Sequence, residues 1–235
     1  MARKIAGINL KLWGLKKGSS VLDLGAAKGI LTLELAQAGY DVTGIEPVKQ
    51  LVDDFNTRDK RNIKAKIIHG SAYKLPFKDD SFDGAVATEV LEHIPDTKVV
   101  LGELNRVLKP GARVVISVPT DVSENIYYQL YPTYKAQATH VHTFSESRLK
   151  KLLGDAGFRV YKTKGENSDY AFLWIGQSIL KIPFDFTGTP LYESKWAKFY
   201  WKSFKLLQML HLRGVVTNFG NLIFPKSRYF YAEKI

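Results

Sequence analysis

The most specific chemical pattern in the sequence is the run Val21-Leu-Asp-Leu-Gly-Ala-Ala-Lys-Gly29, followed 17 residues later by Glu46. A strand feeding a Gly-rich turn that opens a helix gathers backbone N–H groups and the positive helix end at one point, which suits an anionic ligand group. Glu46 ends the next strand, where a carboxylate can accept both hydroxyls of a ribose. Together they point to a nucleoside. The loop is not G-x-G-x-x-G, so a nicotinamide or flavin dinucleotide is disfavoured. His93, His140 and His142 are the natural candidates for a general base, because imidazole titrates near neutrality. Glu89, Glu92 and His93 stand at i, i+3 and i+4 and would share a helical face, a set that could hold Mg²⁺, Mn²⁺ or Zn²⁺. Packing is the preferred role for these three, and no metal is expected.

These residues need a scaffold, and the first 160 residues alternate strand and helix patterns. Val21 to Leu24, Asp41 to Glu46, Lys66 to His69, Ser81 to Ala87 and Arg113 to Val118 read as strands. Leu31, Leu35 and Ala38, then Val48, Leu51, Val52 and Phe55, then Val100, Leu101, Leu104, Val107 and Leu108 recur at helical spacing between them. Leu149, Leu152, Leu153 and Ala156 mark one more helix, which Gly157 stops. Phe158 to Lys164 and Arg228 to Lys234 read as two last strands. The expected fold is α/β, a doubly wound, mostly parallel seven-stranded sheet. The stretch before the last strand is too long for a structureless loop and reads as an aromatic, basic helical insertion. The expected organisation is a core over 1–165, the insertion over 166–226 and the last strand over 227–235.

Composition narrows the classes further. The 235 residues are 45% hydrophobic and 24% charged, an ordinary globular balance that excludes wholesale disorder. The absence of Cys removes disulfides, thiolate metal sites and Cys nucleophiles. The longest apolar run, Tyr170 to Gly176, is far short of the ~18 residues a spanning helix needs. The formal net charge is +11, and residues 161–235 hold 11 basic and 5 acidic side chains with 17 of the 29 aromatics. That bias suggests an anionic partner.

With the Gly-rich loop and Glu46 in place, several further segments fall in an order that resembles the class I S-adenosylmethionine-dependent methyltransferases, in the small-molecule branch that includes the ubiquinone-pathway O-methyltransferases. They are Glu46-Pro47, Ser71-Ala-Tyr-Lys-Leu-Pro-Phe77, Asp80-Ser-Phe-Asp83, Glu89-Val-Leu-Glu-His93, Leu108-Lys-Pro-Gly111, His142-Thr-Phe-Ser145 and Ala156-Gly-Phe158. The resemblance covers about residues 18–165 and the final strand. It implies a Rossmann-like methyltransferase fold and S-adenosyl-L-methionine as cofactor. Carried over, Gly25, Ala26, Ala27 and Gly29 would line the methionine part. Glu46 and Pro47 would hold the ribose, Ser71 and Ala72 would face the adenine, and Thr88 and Glu89 would close over the sulfonium side. Two positions depart from the family pattern: Ala27 stands where Gly is usual, and Ser71 stands where Asp is usual.

Without a spanning run or an uninterrupted signal-like stretch, the expected location is cytoplasmic, and the resemblance implies an enzyme, EC 2.1.1.-, that methylates a small-molecule or lipid-like acceptor at oxygen. The insertion would choose the acceptor. Lys195, Lys198, Lys202 and Lys205 fall on one helical face, with Trp196, Phe199, Tyr200, Phe204, Leu207 and Leu210 mainly on the other. A basic amphipathic helix of this kind suits peripheral contact with an anionic membrane, and a core-facing role explains the same stripe. Two rivals stand beside this reading. An RNA methyltransferase would use the basic tail, although no RNA-binding module is recognisable. A catalytically silent binding module would explain Ala27 and Ser71.

Overall fold

The computed structural model describes residues 4–58, 63–130, 139–168, 173, 195–210, 212–223 and 225–235. A short hairpin, β1 (Lys4–Ile5) and β2 (Ile8–Asn9), and helix α1 (Leu10–Trp13) lead into strand β3 (Ser20–Leu24). There follow α2 (Ile30–Gln37), β4 (Asp41–Glu46), α3 (Lys49–Asn56), β5 (Ala65–His69) and β6 (Phe82–Thr88). Next come α4 (Thr97–Val107), β7 (Leu108–Pro119), α5 (Asp121–Leu130), α6 (Glu146–Asp155) and β8 (Phe158–Glu166). The chain ends with α7 (Lys195–Met209), α8 (Arg213–Ile223) and β9 (Ser227–Lys234).

Seven strands form one sheet in the order β5-β4-β3-β6-β7-β9-β8. The pairs β3–β4, β3–β6, β4–β5 and β6–β7 are all parallel. Parallel strands covered on both faces should read as continuous apolar runs, and Val21, Leu22, Leu24, Val42, Ile45, Ala85, Val86, Ala87, Val114, Val115 and Ile116 are all buried. Because β3 lies between β4 and β6, the chain changes direction across the sheet there. The parallel pairing puts the carboxyl ends of β3, β4, β5 and β6 on one edge. Ligands of such sheets bind at that edge, at the switch point.

Two compact units emerge: residues 1–118, 146–163 and 229–235, and residues 119–145 with 164–228. The expected core boundary at 165 is close to 163, but 119–145 belongs with the second unit and not with the core as expected. Hydrogen bonds explain this. Thr120 N–H donates to Lys226 O at 3.0 Å, Thr120 Oγ1 to Pro225 O at 2.8 Å and Ser123 Oγ to Lys226 O at 3.0 Å. In the first unit, the N-terminal hairpin is held by the last strand: Tyr229 donates its hydroxyl to Ala6 O at 2.8 Å, and Asn9 N–H donates to Tyr231 Oη at 2.9 Å. The apolar run Tyr170–Gly176 lies, apart from Leu173, outside the described residues.

Candidate active site

The Gly25–Gly29 loop is the turn between β3 and α2, and its shape follows from two missing side chains. Gly25 has φ +75°, and a Cβ there would stand 2.6 Å from Val90 Cγ2. Gly29 has φ +73°, and a Cβ there would stand 2.2 Å from Phe55 Cδ2. Gly25 thus lets the segment after β6 lie against the loop, and Gly29 lets α2 start against the buried cluster of Ala26, Val52, Phe55 and Ile67. Ala27 also takes a positive φ, +47°, at a cost of about 1 kcal/mol for a residue with a Cβ.

Four of the five loop amides are used inside the chain. Gly25 and Ala26 N–H both donate to Ile45 O at 3.0 Å, Gly29 N–H to Ala26 O at 2.8 Å, and Ala27 N–H to Glu46 Oε2 at 2.9 Å. These four bonds fix the shape of the loop and tie it to β4, while α2 starts at Gly29 with no side-chain cap, so the first N–H groups of the helix are the donors at this end.

Glu46 is buried at the tip of β4, and its other oxygen accepts from Val48 N–H at 3.0 Å. Each carboxylate oxygen has accepted one N–H and keeps capacity for another donor. Pro47 follows, its carbonyl accepting from His69 Nε2 at 3.0 Å. Beyond β5, Ser71 is exposed and Ala72 half-buried, and Ser71 Oγ accepts from Tyr73 N–H at 3.2 Å. A clamp from α4, not anticipated from the sequence, fixes this loop. Glu103 accepts Leu75 N–H at 2.8 Å, and Arg106 donates to Leu75 O at 3.1 Å and to Phe77 O at 2.9 Å. Hydrogen bonds from Arg106 hold the Glu103 carboxyl down at about 2.

Thr88 ends β6 half-buried, opposite Ser117 of β7. Glu89 has φ +53°, its N–H donates to Ser117 O at 3.0 Å, and its Oε1 accepts from Ser117 Oγ at 2.9 Å. Only Leu91–His93 is helical, as a single 3-10 turn. The expected common face of Glu89, Glu92 and His93 is corrected accordingly, since the left-handed Glu89 and a 3-10 turn do not continue an α-helix. Glu92 is buried and His93 exposed. Non-Gly residues held at positive φ cost energy and cluster at functional sites, and both Ala27 and Glu89 lie at the carboxyl edge of the sheet.

Asp23 is a buried acid beside the loop that pattern reading passed over. An acid inside Val-Leu-Asp-Leu is the available signal, because a buried parallel strand has no cheap place for a charge. Asp23 is 1% exposed and accepts from Thr32 Oγ1 at 2.6 Å, so it ties β3 to α2 on either side of the loop. Burial pushes its carboxyl up to about 6, Thr32 opposes the shift and the charge of Glu46 adds to it. The folded state then binds more protons than the unfolded chain between its ordinary value of 3.8 and about 6. Stability from this group falls as pH rises through that window, by about 3 kcal/mol in total, and the loss is complete above it. Asp23→Asn should therefore gain stability relative to the wild type between pH ~4 and ~6 and hold the gain above. Denaturant unfolding of both proteins across pH checks this; a difference independent of pH would contradict it.

In the second unit, His140 Nδ1 lies 2.8 Å from Oε2 of Glu124, which is 2% exposed. Tyr128 donates to the same carboxylate; burial first, then Glu124's charge, raise the phenol above its ordinary range. With Nδ1–H given to Glu124, the His140 Nε2 is the proton-accepting atom. His142 instead packs its ring against Phe144, with centroids 5.7 Å apart.

The methyltransferase-domain family matches residues 1–163. A Staphylococcus aureus protein named demethylmenaquinone methyltransferase is 34% identical over 128 residues, 53% of each chain. The chain thus spans about half the length of the curated relatives it matches. Among solved structures, a Methanosarcina mazei S-adenosylmethionine-dependent methyltransferase superposes with TM-score 0.61 at 21% identity, covering 94% of both chains. Phosphoethanolamine N-methyltransferase 2 of Haemonchus contortus, solved with S-adenosyl-L-methionine, superposes with TM-score 0.61 at 19% identity, covering 96% of this chain and 51% of that one. At these identities the two structures establish the fold. A family match over more than half the chain, on this sheet order and around this loop, places the protein among the class I S-adenosylmethionine-dependent methyltransferases.

Proposed function

We propose that this chain transfers a methyl group from S-adenosylmethionine to an oxygen of a small, lipid-like acceptor. The observation that carries the cofactor half is Glu46, a buried carboxylate at the switch-point edge, beside a Gly-rich loop whose amides are largely spent. A carboxylate in that place fits a nucleoside with two free ribose hydroxyls. Glu46 and Pro47 would hold the ribose, Ser71 and Ala72 the adenine, and Gly25, Ala26, Ala27 and Gly29 the amino-acid part. Thr88 and Glu89 would cover the sulfonium side. When bound, the cofactor supplies an electrophilic methyl group.

The chain's own contribution is alignment, exclusion of water and removal of a proton from the acceptor. We assign the proton to His140, whose ring is set by the buried carboxylate of Glu124. The lipid-like acceptor is supported by the likeness to the demethylmenaquinone methyltransferase, and transfer to oxygen by the motifs shared with the O-methyltransferases and by the available histidines. Incubation with methyl-labelled S-adenosylmethionine and a lipid extract or a quinol should move label into the organic phase. His140→Asn should lower kcat by about 10²-fold or more with little change in cofactor affinity. Label recovered in RNA instead would overturn the acceptor, and an unchanged kcat would remove His140.

A further inference from the structure

Helices α7 and α8 each have an inner side packed against the chain and an outer side that is exposed. The inner side of α7 is accounted for: Ala197 and Tyr200 are buried with Leu173, and Trp196 Nε1 donates to Leu173 O at 3.1 Å. The inner side of α8 is likewise engaged, through Asn221, which accepts Ser168 N–H at 2.9 Å and donates to Glu166 at 3.3 Å. The outer sides are apolar and open. Phe199, Leu206 and Met209 of α7 are 62%, 55% and 74% exposed, and Phe219, Leu222 and Ile223 of α8 are 65%, 80% and 60% exposed. Exposed apolar surface on this scale marks an interaction site.

The charge around this surface has one sign. From residue 194 to residue 232 the sequence has no Asp or Glu, while it has Lys195, Lys198, Lys202, Lys205, Arg213, Lys226 and Arg228. The four lysines of α7 are all exposed. At 100° per residue Lys195 and Lys202 fall on the same arc as Phe199, Leu206 and Met209, so cations and apolar groups interleave. This differs from the sequence expectation, which placed Phe199 and Leu210 opposite the lysines; both are exposed on the lysine side. The side chain of Phe204 lies outside the described residues.

We propose that the outer face of α7 and α8 docks on an anionic lipid surface, with Phe199, Leu206, Met209, Phe219, Leu222 and Ile223 entering the interface and the lysines meeting headgroups. Apolar side chains interleaved with exposed lysines are the composition of a monotopic membrane contact. A second copy of the chain is a poorer occupant, because two such faces would bring like charges together with no carboxylate to answer them. No helix among the described residues is long and apolar enough to cross a membrane, so contact would be in the interface plane. This proposal does not depend on the methyltransferase reading.

Sedimentation with phosphatidylcholine vesicles, with and without phosphatidylserine, tests it on the full chain. The protein should pellet with the anionic vesicles, less so as salt rises. Phe219→Ser with Leu222→Ser, and separately Lys198→Gln with Lys202→Gln, should each weaken partitioning by about tenfold or more. These side chains are exposed, so the fold should survive, and an unchanged melting temperature verifies that. The proposal is overturned if the wild type ignores anionic vesicles or if both variants bind like the wild type. It is also overturned if the protein self-associates without lipid and Phe219→Ser with Leu222→Ser abolishes this, or if it prefers single-stranded RNA to the vesicles.

Discussion

Gly29→Ala should destabilise the protein by roughly 2–4 kcal/mol, the sum of a left-handed backbone penalty and forced overpacking. The new Cβ would lie 2.2 Å from Phe55 Cδ2 and 2.7 Å from Ile67 Cδ1. Both side chains are buried in the same cluster and cannot swing into solvent. At about 2–4 °C per kcal/mol for a chain of this size, the melting temperature should drop by roughly 5–15 °C. Gly102, inside α4, is the control, since nothing lies within 4 Å of a Cβ built there. Gly102→Ala should raise stability by roughly 1 kcal/mol through helix propensity. Calorimetric scans of the two variants check both signs. Equal effects would mean that the approach of α2 to Phe55 is not as tight as described.

Glu46→Ala should weaken cofactor binding at least about 100-fold. Two hydrogen bonds to an ionised acceptor contribute about 1.5–3 kcal/mol each, and 1.4 kcal/mol is a factor of ten. The same substitution frees Ala27 N–H and Val48 N–H from their acceptor, so part of the loss comes from a looser loop. Glu46→Gln separates the two, because one amide oxygen can still accept while its NH₂ group cannot. It should fall between wild type and Glu46→Ala. Thermal stabilisation by S-adenosylhomocysteine gives the readout. At a concentration 100 times the wild-type Kd, the ligand should add about 2.7 kcal/mol to the wild type and only about 0.4 kcal/mol to Glu46→Ala. Equal stabilisation would take the ribose away from Glu46.

Much of this site was legible because parallel strands write themselves as short apolar runs ended by turn residues. The strand read as Asp41 to Glu46 has those same bounds in the structure, which puts Glu46 at the sheet edge where the motif requires it. The seven strands follow from the same alternation. What was not legible depends on tertiary partners. Nothing local announces that Ile45 O takes two loop amides, or that Arg106 reaches back from α4 to hold Leu75 and Phe77. Helical spacing misled at Glu89, because its conformation is set by Ser117 of the neighbouring strand. The two-residue strands β1 and β2 are too short for periodicity to register, and their partners Tyr229 and Tyr231 are over 200 residues away. Spacing also misled at Phe199, which it assigns to the face opposite the lysines although the residue is 62% exposed on their side.

The central claim is that this chain holds S-adenosylmethionine through Glu46. Calorimetric titration of the wild type and of Glu46→Ala with S-adenosylhomocysteine, and of the wild type with NAD, tests it directly. The expected result is micromolar binding of S-adenosylhomocysteine, about −8 kcal/mol, its loss in Glu46→Ala, and no heat with NAD. Binding of NAD, or a wild type silent towards S-adenosylhomocysteine, would contradict it.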